Sequence, residues 1–207
     1  MTAQEFEDRV AKSDNPAALC RGVTERLSAD RNVTDKTVLL CVQALGANRA
    51  EADRFVDQVL PLLAGRESLR AEVLSRKASL AVGAGDFAQA SAAYESAWKI
   101  IEPLKLHSDL QRQRILVGLG QSLLSQKKNK EADAIFLRAM AYPWYTVQNP
   151  EDMQQLRDQY LQAARGLISS RRGNATALRE IVLVPATEKE LRPLLDRAIQ
   201  EAAAGGR

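Results

Sequence analysis

The chain has 207 residues, 45% of them hydrophobic and 27% charged, a balance that suits one compact domain or one short solenoid and excludes a disordered chain. Aromatic residues make up only 5%, and the abundance of alanine and leucine favours helices packed through small side chains over sheets. With 29 basic and 26 acidic residues the formal charge is +3, a whole-chain field too weak to point to nucleic acid.

The chain starts Met1-Thr2-Ala3-Gln4-Glu5-Phe6-Glu7-Asp8-Arg9, with acids where a secretion signal needs a basic start and an apolar core. The uncharged runs 37–48 and 115–126 fall well short of the ~20 residues of a membrane-spanning helix. A cytoplasmic location is the resulting expectation. In chain order, helices are expected near 3–12, 16–29, 35–46, 49–63, 68–83, 86–101, 109–126, 130–141, 150–171, 175–183 and 188–203, with residues 205–207 as a frayed tail. Asn15-Pro16 and Asn149-Pro150 each put a side-chain acceptor at an N-cap and a proline at the first helical position, where its missing donor costs nothing. Thr34 or Asp35, Ser68, and Ser108 or Asp109 are weaker starts, while Gly46, Gly65, Gly83 to Gly85 and Gly173 mark ends. Pro61, Pro103 and Pro193 should end or kink the helices they touch.

Cys20 and Cys41 lie 21 positions apart with no CxxC spacing and no nearby histidine, so two buried thiols are expected in place of a disulfide or a zinc site. His107 is the sole histidine, which removes any two-histidine metal motif. No glycine-rich phosphate loop or nucleophile–base pattern is present, and neither a catalytic role, a metal nor a cofactor is expected.

A repeat emerges between residues 71 and 104. Leu74, Ala78 and Ala81 share one helix, Gly85-Asp86-Phe87 makes a turn, and Ala90, Tyr94 and Ala97 follow on the next helix. Between 113 and 146 come Leu116, Leu119, Gly120 and Leu123, a turn at 127–129, then Ala132, Phe136 and Ala139. Ala78 with Ala90, and Gly120 with Ala132, are small residues twelve positions apart. The pattern resembles the tetratricopeptide repeat, in which two helices cross so closely that only small side chains fit between them. Lys127 stands where the family usually has glycine, and the 42 positions from Ala90 to Ala132 exceed the family's 34, so a longer helix or an added connection around 103–109 must take up the difference. Segments 33–66 and 157–184 fit as degenerate repeats, with 3–29 and 188–203 as capping helices.

The resemblance implies an all-α fold, a right-handed α-α superhelix of stacked helical hairpins spanning 1–204, because one hairpin cannot bury its apolar face alone. A generic helical bundle is the competing reading. In the family the first helix of each repeat lines a concave groove. Carried over, the groove presents Glu72, Ser75, Arg76 and Ser79, then Arg114, Val117, Gln121 and Ser125, then Asp158, Leu161, Gln162 and Arg165. The partner-binding candidates are Arg76, Ser79, Arg114, Gln121, Gln162 and Arg165, and the arginines suit a protein or peptide with acidic groups. Ser75, Ser79, Val117 and Gln121 replace the lysines and asparagines with which some members grip a C-terminal carboxylate, so that particular use is not expected. Tyr142, Trp144 and Tyr145 form an aromatic cluster around Pro143, either an interface anchor on a loop or a cap on the apolar end of the second repeat. The expected function is a non-catalytic interaction scaffold. Self-association as a homodimer is the alternative, and nucleic-acid binding through Lys127, Lys128, Lys130, Arg171 and Arg172 the remote one.

Overall fold

The computed structural model describes residues 5, 6, 8, 9, 13, 15–29, 33–104, 109–141, 149–171 and 185–205. Among them every regular element is a helix: α1 (Pro16–Ser28), α2 (Asp35–Ala44), α3 (Arg49–Val59), α4 (Glu67–Gly83), α5 (Phe87–Ile101), α6 (Asp109–Ser125), α7 (Asn129–Ala141), α8 (Pro150–Ser170) and α9 (Pro185–Gly205). Short 3-10 turns at Leu45–Ala47 and Leu60–Leu63 follow α2 and α3. The expected helix at 175–183 and most of the one at 3–12 lie outside the described residues, as does the aromatic cluster. None of the described helices is long and apolar enough to cross a membrane.

Side-chain caps fix the helix starts. Asn15 accepts from the Ala18 amide at 3.1 Å, Thr34 from Thr37 at 3.2 Å and Asn149 from Asp152 at 2.7 Å, each satisfying one of the amides that a first helical turn leaves without a partner. Asn48 and Asp86 do the same for α3 and α5. Ser68 does not cap α4, which begins at Glu67 after an Arg66 that makes no side-chain cap bond. Its hydroxyl instead donates to Gln111 Oε1 of α6 at 3.1 Å. The helix expected over 49–63 is α only to Val59, because Pro61 has no amide to donate and 60–63 tightens into a 3-10 turn.

The helices α2, α4, α6 and α8 form a row in which each touches the next, and α3, α5 and α7 each pack on the two row members that flank them in sequence. α1 covers α2 and α3, and α9 covers α8. Two apolar clusters result. One holds Cys20, Val38, Cys41, Phe55, Val56, Leu63, Leu69 and Val73, and the other runs from Ala71 and Ala78 through Leu116, Phe136 and Leu167 to Ala198. α4 contributes to both, so it is the wall between them.

Cys20 and Cys41 are joined by a disulfide, which corrects the expectation of two thiols. Twenty-one positions of sequence are a turn back along two adjacent helices, and that return brings the Cα atoms to 5.5 Å, inside the range a disulfide spans. Both half-cystines are buried, as expected.

The two clearer repeats share a turn. After α4 the amide of Gly85 bonds to Val82 O and that of Asp86 to Ala81 O; after α6 the amide of Lys127 bonds to Leu124 O and that of Lys128 to Leu123 O. The pairs are offset by the same 42 positions as Ala90 and Ala132, and both turns carry the paired bonds of a helix ending in a left-handed residue. Gly85 has φ 75° and Lys127 φ 62°, so the lysine adopts the glycine conformation. The helices α4 and α5 have 17 and 15 residues. Ala78, Ala90 and Ala132 are fully buried. Gly120 is tight: a Cβ there would stand 2.5 Å from Cε1 of Phe136.

Candidate functional site

On α4 the residues Glu72, Ser75, Arg76 and Ser79 recur at helical spacing and so share one face. That face meets α2 and α6 at the seam between the two apolar clusters, and the three helices border an open cleft of about 280 Å³. Val42 and Gln43 supply its α2 side, Leu80 extends the α4 side, and Arg114 lines it from α6. Of the sequence-derived candidates, Arg76, Ser79 and Arg114 are thus brought together.

The electrostatics of the cleft turn on Glu72. Its side chain is only 11% exposed and accepts from Arg76 Nε at 3.3 Å and from Arg114 Nη2 at 2.9 Å. Both arginine side chains are far more exposed, at 36% and 41%. One carboxylate therefore orients two guanidinium groups from beneath and balances only one of their charges. On the same face, Ser79 Oγ and Tyr94 Oη lie 3.0 Å apart in a hydrogen bond. Burial pushes the Tyr94 phenol above its ordinary value, opposed by the Ser79 hydrogen bond and the nearby Arg114 charge.

The other candidates lie elsewhere along the row. Gln121 Nε2 of α6 reaches Gln162 Oε1 of α8 at 3.4 Å, a contact between neighbouring row helices. Arg165 binds Glu201 of α9 through two parallel bonds, Nε to Oε2 at 2.8 Å and Nη2 to Oε1 at 2.9 Å. Hydrogen bonds from Arg165 and Arg197 pull the Glu201 carboxyl down to about 2. Val117 and Leu161, expected on the groove face, are instead buried in the larger apolar cluster, at 1% and 5% exposure. α6 is packed by α4, α5, α7 and α8, which leaves it little free face; even Gln113 is fully buried, donating to Ala139 O at 2.7 Å. Tyr142, Trp144 and Tyr145 lie outside the described residues.

Of the remaining charged positions, Arg171 is tied to Asp133 at 2.5 and 3.0 Å, and this guanidinium holds the Asp133 carboxyl below its usual range. Trp98 is a packing residue, with the Arg138 guanidinium 5.3 Å from its ring centre. Among the described residues no group of three histidine, cysteine or acidic side chains is placed to hold a metal ion. A second depression, of about 70 Å³ between α1 and α3 beside Cys20, is far smaller than the α2–α4–α6 cleft.

Sequence reasoning placed Glu72 and Arg76 on the groove face of α4 and Arg114 on that of α6 but did not pair the carboxylate with the two arginines, and it missed Val42 and Gln43 altogether. The period within α4 was the available signal for Glu72; the approach of α2 had none. No protein-family model and no curated protein matches the chain.

Proposed function

We propose that the chain is a non-catalytic, tetratricopeptide-like scaffold whose helical hairpins stack into a superhelix, and that it binds a protein or peptide segment along the row α2, α4, α6 and α8. The observation that carries this reading is the α2–α4–α6 cleft, a concavity with two exposed guanidinium groups oriented by a buried carboxylate. The 42-position recurrence of the turn and of buried small residues supports the stacking. Self-association is less well supported, because Val82 is the sole large hydrophobic side chain exposed among the described residues, and stable homodimers bury apolar patches.

The Cys20–Cys41 bridge bears on location. Disulfides persist in oxidising compartments, which favours such a setting over the cytoplasm expected from the amino-terminal sequence.

A photo-crosslinking amino acid tests the binding face. Introduced at Gln43, Ser79 or Gln162, it should capture partner protein in host cells, whereas at Glu95 or Ser96 on α5 it should not. Crosslinks from the α5 positions alone would place the binding face elsewhere.

A further inference from the structure

We propose that the α2–α4–α6 cleft anchors one carboxylate side chain, an aspartate or glutamate within a peptide segment, between the guanidinium groups of Arg76 and Arg114. This rests on reading the row as a binding face and specifies what it grips.

Charge is the first argument. Two guanidinium groups face one carboxylate, so the cleft holds one unbalanced positive charge, and one incoming carboxylate neutralises it. A phosphate group, at −1.5 to −2, would leave the site negative. Donor capacity is the second. A guanidinium has five N–H donors; Arg76 spends Nε on Glu72 and Arg114 spends Nη2, so terminal amino groups remain to meet a second carboxylate. Because Glu72 already holds both groups in place, little side-chain freedom is lost when the ligand arrives. Size is the third. At about 280 Å³ the open cleft has room for an aspartate or glutamate side chain. Leu80 on its wall gives the alkyl stem of that side chain, or an aliphatic neighbour, an apolar surface.

The probe is N-acetyl-leucyl-glutamyl-alaninamide, titrated into the isotope-labelled full chain at constant ionic strength while the arginine Nε–H resonances are followed. Saturable shifts of the Arg76 and Arg114 signals are expected, with affinity lowered about tenfold or more when glutaminyl replaces glutamyl, the size of a lost charge-assisted hydrogen bond. Arg114→Gln should weaken the glutamyl probe by a similar factor, and Arg114→Lys, which keeps the charge but loses the fork, by less. The glutamyl and glutaminyl comparison uses the unaltered chain, so it holds even where a variant folds poorly. The proposal is overturned by the absence of saturable shifts, by equal binding of the two probes, or by tighter binding of a phosphoseryl analogue. Crosslinks confined to the row with no glutamyl binding would remove this proposal alone; glutamyl binding with crosslinks from α5 would remove the wider reading.

Discussion

The Phe136 ring on α7 lies against two glycines of the row, Gly120 of α6 and Gly166 of α8. A Cβ on Gly166 would come closer to that ring than one on Gly120, and the ring is fully buried, so it has no room to retreat. Tyr94 repeats the arrangement one unit earlier, its ring against Gly118 and its hydroxyl on Ser79. Gly166→Ala should therefore lose about 1–2 kcal/mol in urea unfolding, since overpacking of about 1–3 kcal/mol outweighs the gain of up to about 1 kcal/mol from replacing glycine within a helix. Adding Phe136→Leu should recover part of that loss, so that the double variant is more stable than the sum of the single changes. An alanine variant as stable as the parent would show that the ring is not clamped. The sequence made the small residue at 120 readable through its twelve-position partner Ala132. Gly166 was not readable, because its contact comes from a different helix thirty positions earlier. Lys127 illustrates the reverse: its identity argued against the family's turn, yet the paired backbone bonds at 127 and 128 hold it in the left-handed region.

At the scale of elements, helix boundaries were legible where capping is local. Asn15, Thr34 and Asn149 bond to amides within three residues of themselves, so residue type and position carried the information. The arrangement of helices is long-range, and there the sequence misled about whether the two cysteines meet and was silent about which carboxylate pairs with which arginine. The Cys20–Cys41 bridge pins α1 to α2, whose next residues Val42 and Gln43 form one wall of the cleft. Closing 21 positions of chain should stabilise the protein by about 3 kcal/mol through the unfolded state. Reduction should then lower the midpoint of thermal unfolding by about 10 °C for a chain of this size, and alkylation of unreduced protein, purified from its host and unfolded in urea, should label neither cysteine. Two labelled cysteines together with an unchanged midpoint would rule out the bridge as a structural element and restore the cytoplasmic expectation.

Across the whole molecule, ion pairs at separate joints share one sign of pH dependence. Asp86 is held below its ordinary value of 3.8 by the Gln89 amide and by Arg49 of α3, Asp133 by Arg171 at the end of α8, and Glu201 falls from 4.5 to about 2 through Arg165 and Arg197. These carboxyls bind protons more readily in the unfolded chain than in the folded one. What they add to stability is complete above the ordinary carboxylate values and drains away as the pH falls, with the Glu201 contribution ending near 2. Exposure of Asp86 and Glu201 keeps each contribution small and salt-sensitive, so the expected acid response is gradual. The opposite limb comes from Tyr94 and Tyr160, whose phenols burial raises above 10.0. Their neutral forms favour the folded state fully below 10, and this preference is lost as the pH climbs through the raised values. The midpoint of thermal unfolding should therefore be nearly flat from about pH 5 to 9 and fall on both sides. Asp133→Asn should lower the plateau and flatten the acid limb, because the asparagine keeps an acceptor for Ser170 but has no proton to gain. An Asp133→Asn variant whose acid limb is as steep as the parent's would show that the joint between α7 and α8 does not depend on that charge.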